Sequence, residues 1–217
     1  MENRTGRHDL YARLNDYCED MSTPPAKLLY QLERETHLKT LAPQMMSGRL
    51  QGQFLRLLSQ WMQPQRILEV GTFTGYATLC LAAGLPTEGE LHTIEANPEL
   101  EHLIRKYVQQ VPQREQIHLH IGRAQEVIPE LSGTFDLVFL DAAKQDYPEY
   151  YDLIIDRINP GGCILADNVL WSGKVVQAEY DADTASIHAF NQMIRQDERV
   201  EQVMLPLRDG LLLCRKQ

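Results

Sequence analysis

From Pro64 onward, short apolar runs alternate with amphipathic stretches, and this alternation limits the possible folds more than any other feature of the chain. The runs are RILEVG (66–71), ELHTIEA (90–96), QIHLHIG (116–122), FDLVFLDA (135–142) and CILADNV (163–169). Helical periodicity fills the intervals at about 76–85, 98–111, 123–131 and 147–158. Such alternation implies βαβ units and a parallel sheet with helices on both faces. FDLVFL and RILEV are almost continuously apolar, as strands covered on both faces should be. A last helix at about 184–198 leads into VEQVMLPL and LLLCRK. Arg208-Asp209-Gly210 joins these two runs as an antiparallel hairpin. The expected architecture is therefore a doubly wound α/β domain with a mostly parallel, seven-stranded sheet.

Residues 1–62 read instead as a helical extension ahead of the core at 63–217, within one domain. Leu10, Leu14 and Tyr17, then Leu28, Leu29 and Leu32, recur at helical spacing, with Ser22-Thr23-Pro24-Pro25 as an entry signal between them. A second break around Pro43-Gln44-Met45-Met46-Ser47 precedes a helix through Phe54, Leu58 and Met62. The formal net charge of −9, with no local basic cluster, argues against nucleic acid, whose binding depends on neutralising phosphates. No apolar stretch approaches the ~20 residues that span a bilayer, so no membrane partner is expected. The N-terminus is polar, which points to the cytoplasm. The four cysteines have no C-x-x-C spacing and give neither a zinc site nor a disulfide framework.

In doubly wound sheets ligands bind beyond the carboxyl ends of the strands, where the strand order switches. The first strand ends in Glu69-Val70-Gly71-Thr72-Phe73-Thr74-Gly75-Tyr76. Gly71 and Gly75 allow a tight turn and a close backbone approach, and the next helix presents its N-terminal amides. The spacing is G-x-x-x-G, without the middle glycine that a dinucleotide pyrophosphate needs, which counts against a nicotinamide oxidoreductase. Glu95 at the end of the second strand can accept both hydroxyl protons of a ribose. Glu69, an acid inside an apolar strand, requires a donor or a cation. A nucleoside with a charged amino group and no pyrophosphate, such as S-adenosylmethionine, satisfies both carboxylates.

The fourth strand ends in Asp141 and the fifth in Asp167-Asn168, which adjacent parallel strands would place on one rim. Two carboxylates and an amide carbonyl favour a hard cation such as Mg²⁺, with Mn²⁺ or Ca²⁺ as alternatives. The competing reading has Asp141 touching the cofactor while Asp167-Asn168 start a turn. Lys144, three residues past Asp141, would lose its proton more easily beside a metal and a cationic cofactor, which suits a general base.

With these motifs in place, the chain resembles the cation-dependent O-methyltransferases, the catechol and caffeoyl-CoA O-methyltransferases and their bacterial relatives. The resemblance rests on QGQFL (51–55), ILEVGTFTGYATL, TIEAN, FDLVFLDAAKQDY, the NPGG turn (159–162) and ADNVLWSGKV. It implies a Rossmann-like class I methyltransferase fold and methyl transfer from S-adenosylmethionine to a hydroxyl of a catechol-like vicinal diol. It also implies that Glu69, Gly71, Thr72, Gly75 and Ala77 hold the methionine and sulfonium, with Met45 or Met46 closing over them. By the same resemblance Glu95 binds the ribose and Ala124 lines the adenine site, and Tyr76, Ala96 and Asp141 belong with the cofactor contacts. Asp141, Asp167 and Asn168 match the metal ligands and Lys144 the catalytic lysine. The chain departs from the plant enzymes in having Ala143 where they carry an aspartate, and Ala77 stands where serine is common. Trp171, three residues beyond Asn168, is a candidate substrate wall, with Tyr180 as a weaker one. The relatives' N-terminal dimer contact implies a homodimer.

Overall fold

The computed structural model describes residues 2–217, with side chains from Leu10 onward. Its sheet contains β1 (Arg66–Val70), β2 (Glu90–Glu95), β3 (Ile117–Ile121), β4 (Phe135–Leu140), β5 (Ile158–Asp167), β6 (Val200–Leu205) and β7 (Leu211–Lys216). The strand order is β3-β2-β1-β4-β5-β7-β6. The first five strands run parallel, and β7 pairs antiparallel with both β5 and β6. This is the expected doubly wound sheet with its terminal hairpin. The order reverses between β1 and β4, where a ligand crevice opens in such sheets.

Side chains alternate across β1, so Leu68 and Val70 join one core while Ile67 joins the other. On the first face lie α6 (Ala124–Glu130), α7 (Tyr147–Ile154) and α8 (Ala182–Gln196). On the second lie α2 (Lys27–Lys39), α3 (Gly48–Met62), α4 (Tyr76–Ala82) and α5 (Glu101–Val108). Both faces of β1 and β4 are thus withdrawn from water, which explains why their sequences lack a polar alternation.

The helical extension is tied into that second face. Ser59 Oγ donates to the Leu81 carbonyl (2.6 Å), and Thr36 Oγ1 donates to Thr74 Oγ1 (3.0 Å). Gly52 lets α3 settle on α4, since a Cβ there would lie 2.5 Å from the Tyr76 ring. By contrast α1 (Glu2–Met21) turns Leu10, Leu14, Tyr17 and Met21 outward, all at least half exposed. Tyr11 and Tyr30 are also exposed, so the tyrosines of the extension contribute nothing to the core.

One boundary differs from the sequence reading. β5 begins at Ile158, so the Asn159-Pro160-Gly161-Gly162 segment is drawn into the strand. The register shifts between Phe135 and Leu137, and this irregularity, with Gly161 at φ +82°, absorbs the extra residues. Cys80, Cys163 and Cys214 are buried free thiols. Among the described residues no helix is long and apolar enough to cross a membrane.

Candidate active site

Strand register alone assembles the site. Val70 pairs with Ile94 on one side and with Leu140 on the other, and Leu140 pairs with Ala166. The next residues out, Glu95, Gly71, Asp141 and Asp167, therefore form one row across the carboxyl edge of four strands. Above them opens a cavity of about 870 Å³. Its wall includes Gly71, Glu95, Ala96, Ala124, Asp141, Lys144 and Asn168.

Gly71 is required by this packing. Its φ is +99°, and a Cβ there would lie 2.1 Å from the Asp141 carbonyl oxygen. Glu95 is 9% exposed, and burial pushes its carboxyl above the usual range. Its Oε2 accepts the Phe73 amide (2.7 Å) and its Oε1 the Asn97 amide (2.8 Å). Each oxygen keeps a second lone pair, the arrangement needed to receive two neighbouring hydroxyls.

Glu69 does not line the cavity. It is fully buried, and its Oε2 accepts hydroxyls from Thr78 (2.5 Å) and Thr93 (2.6 Å), while Oε1 has no partner. That Thr78 hydroxyl is thereby committed, so it does not stand in for the serine that Ala77 replaces. Desolvation raises the Glu69 carboxyl to about 8. The folded protein holds this proton more tightly than the unfolded chain, so the associated stability is complete below about pH 4.5 and is lost as pH rises through about 8. The ligand-free protein should lose up to ~1.4 kcal/mol per pH unit within that window from this residue. Urea denaturation of wild type and Glu69→Gln between pH 5 and 8 checks this, because the glutamine variant should show the flatter profile. Parallel profiles would remove Glu69 as the source.

On the other side of Gly71, Asp141 Oδ1 accepts from Lys144 Nζ at 2.8 Å. The same ammonium donates to the Tyr147 hydroxyl (2.8 Å) and lies 4.9 Å from the centre of that ring. The Tyr147 proton is shared between the Leu140 and Asp167 carbonyls (2.9 and 3.1 Å), so main chain from β4 and the end of β5 orients the lysine's partner. Asp167 is fully buried, and desolvation together with the nearby Asp141 charge raises its carboxyl to about 6. Its Oδ1 accepts the Asn168 amide (2.8 Å) and its Oδ2 accepts Gln51 Nε2 (2.8 Å). Asn168 adopts φ +60° and lines the cavity, where its amide oxygen is available as a ligand atom.

These residues suit a hard divalent cation. Asp167 is buried with a destabilised charge, Asp141 is held beside it, and an amide oxygen completes the set. Among the described residues no three His, Cys, Asp or Glu side chains gather around one point, so a site here needs an oxygen donor beyond the two carboxylates, such as the Asn168 amide.

Other expected residues fall in several places. Met45 is 58% exposed and lines the cavity, whereas Met46 is buried in the core, which separates the two candidates. Thr72 is buried, with its hydroxyl 2.5 Å from that of Thr93, and Gly75 takes φ +91° at the start of α4. Ala77 is buried in the core, and the Tyr76 ring packs beneath α3. Trp171 packs against the core on the α8 side and is not among the cavity residues. Tyr180 donates to the Val175 carbonyl (2.8 Å) and likewise lies off the cavity. Gln51, Tyr147 and Arg208 are the contributors that sequence reasoning missed. Gln51 lies within the QGQFL motif, and that motif was its only signal.

Comparison with known proteins agrees with this geometry. The O-methyltransferase family profile matches residues 19–217. A catechol O-methyltransferase of Niastella koreensis is 34% identical over 162 residues, covering 72% of this chain and 73% of that protein. Caffeoyl-CoA O-methyltransferase 1 of Eucalyptus globulus is 33% identical over 179 residues, covering 76% and 72%. Among solved structures, a methyltransferase of Podospora anserina bound to SAH superposes with a TM-score of 0.88 at 26% identity, covering 96% of each chain. An O-methyltransferase of Bacillus cereus in complex with SAH gives a TM-score of 0.86 at 27% identity, covering 94% and 97%. The protein has the class I methyltransferase fold and belongs to the O-methyltransferase family.

Proposed function

We propose that this enzyme transfers the methyl group of S-adenosylmethionine to one hydroxyl of a catechol-like vicinal diol, with a divalent cation, most simply Mg²⁺, held by Asp141, Asp167 and Asn168. The observation that carries this reading is the single rim on which Glu95, Gly71, Asp141 and Asp167 stand in register, with Lys144 fastened to Asp141.

The cavity of about 870 Å³ runs beside strand ends from β2 to β4. Glu95, Ala96 and Ala124 form the part suited to a nucleoside, and Met45 also lines the cavity. Asp141, Lys144 and Asn168 form the acceptor end. A divalent cation bound to the three oxygen ligands would lower the pKa of a hydroxyl beside it. Lys144 takes or stabilises that hydroxyl proton. The resulting oxygen attacks the methyl carbon while the carbon–sulfur bond breaks. Gly71 and its neighbours contribute by holding the two reactants in line, since alignment supplies most of what such a transfer needs.

Transfer of labelled methyl from S-adenosylmethionine to a panel of catechols, with and without EDTA, tests the proposal. Expected is transfer that EDTA removes and Mg²⁺ restores. Transfer indifferent to EDTA would reduce the rim to a structural role, and failure with every diol would end the acceptor assignment. The exposed apolar seam on α1 suits a second copy of the chain. Sedimentation should accordingly return about twice the 24.9 kDa chain mass, and a monomer at micromolar concentration would exclude the dimer.

A further inference from the structure

Arg208 sits in the turn between β6 and β7 and reaches back to the acceptor end of the cavity. Its backbone is left-handed, with φ +54°, a conformation that a glycine adopts without strain and a long side chain does not. The position therefore holds a guanidinium where local backbone preference favours glycine. One Nη2 proton goes to the Gln44 carbonyl (2.9 Å), which anchors the head group beside the Met45 turn. Nη1 stands 3.9 Å from Asp167 Oδ2, too far for a hydrogen bond. A guanidinium carries five N–H donors, so most remain free in a head group that is 29% exposed.

Asp141, Asp167 and Asp209 surround Lys144 and Arg208 at this end of the cavity. Asp209 accepts the Ser172 amide and makes no hydrogen bond to Arg208, so the free guanidinium donors stay available to a ligand. A cation on Asp141 and Asp167, as the proposed function requires, would further withdraw their charge from Arg208.

We infer that Arg208 is a specificity residue which binds an acidic substituent of the acceptor, so that the preferred acceptors are catechols bearing a carboxylate. This inference rests on the proposed diol transfer and narrows it. The ring's two oxygens face Asp141, Asp167 and Asn168, while the carboxylate takes the planar donor fork that Arg offers and Lys cannot. The methionine carboxylate of S-adenosylmethionine has the same chemistry, and the experiment separates the two sources.

The test compares kcat/KM for 3,4-dihydroxybenzoate and for neutral catechol in wild type and in Arg208→Gly, with KM for S-adenosylmethionine measured in both. Glycine suits the observed backbone, so the variant retains the turn. Wild type should prefer the acid by roughly tenfold to a hundredfold, the range for a charge-assisted hydrogen bond. In Arg208→Gly that ratio should collapse toward one through a raised KM for the acid, with KM for S-adenosylmethionine unchanged. Equal use of both acceptors by wild type would overturn the assignment while leaving diol methylation standing. A weakened S-adenosylmethionine KM with the preference intact would overturn it as well, and would move Arg208 to the donor's carboxylate. Failure to methylate either diol would overturn the proposed function, and this inference with it.

Discussion

The Asp141→Ala variant is expected to fold normally and to lose methyl transfer by at least about a thousandfold, equivalent to ~4 kcal/mol of transition-state stabilisation. The size follows from the number of jobs held by one carboxylate. It is the partner of Lys144, a proposed cation ligand, and the neighbour whose charge helps to raise the Asp167 carboxyl. Its removal frees the Lys144 ammonium from one of two acceptors and leaves Asp167 and Asn168 as an incomplete pair of ligands. The fold should tolerate the change because the Asp141 backbone amide still donates to the Val70 carbonyl (2.8 Å) and no core volume is lost. Two measurements decide the matter. Labelled methyl transfer should fall to background, and Mn²⁺ titration followed by electron paramagnetic resonance should show loss of the bound signal. Turnover within tenfold of wild type would show that the rim does not chelate the acceptor.

Asp141 illustrates what a single sequence makes legible. It follows a run of apolar residues whose burial on both faces marks the strand, and strand ends mark the site in a doubly wound sheet. Glu95, Gly71 and Asp167 are legible for the same reason, and the pairing of β2, β1, β4 and β5 brings them into one row. Contributions that cross the sheet were not legible. Gln51 comes from α3, Tyr147 from the start of α7 and Arg208 from the last hairpin, and no local pattern reveals where tertiary packing carries each of them. Glu69, an acid within an apolar strand, requires a donor, and two threonine hydroxyls supply it behind the cavity wall. The spacing from Asn168 puts Trp171 near the acceptor end. The chain instead turns through positive φ at Trp171, Ser172 and Gly173, and the indole packs on the core. Adjacent methionines at 45 and 46 were inseparable in sequence because only the short turn between α2 and α3 decides which one faces the cavity.

The second large effect is expected at Lys144. Replacing it with alanine should lower kcat by about a hundredfold to ten-thousandfold, the usual contribution of a positioned base, while S-adenosylmethionine binds within a fewfold of its wild-type affinity. The lysine touches the acceptor end alone. Its ammonium is fixed by Asp141 at 2.8 Å and by the Tyr147 hydroxyl at 2.8 Å, and that hydroxyl is itself held by two main-chain carbonyls. A lysine located by backbone on two strands presents its nitrogen at one place, which is what proton removal in a short-lived geometry requires. The alternative role is electrostatic, with Lys144 serving only as a fixed positive charge beside the developing oxyanion. Lys144→Arg separates the two, because a guanidinium keeps the charge but does not give up its proton in proteins. If Lys144 is the base, Arg should be nearly as slow as Ala. If it acts only through its charge, Arg should recover most of the lost rate.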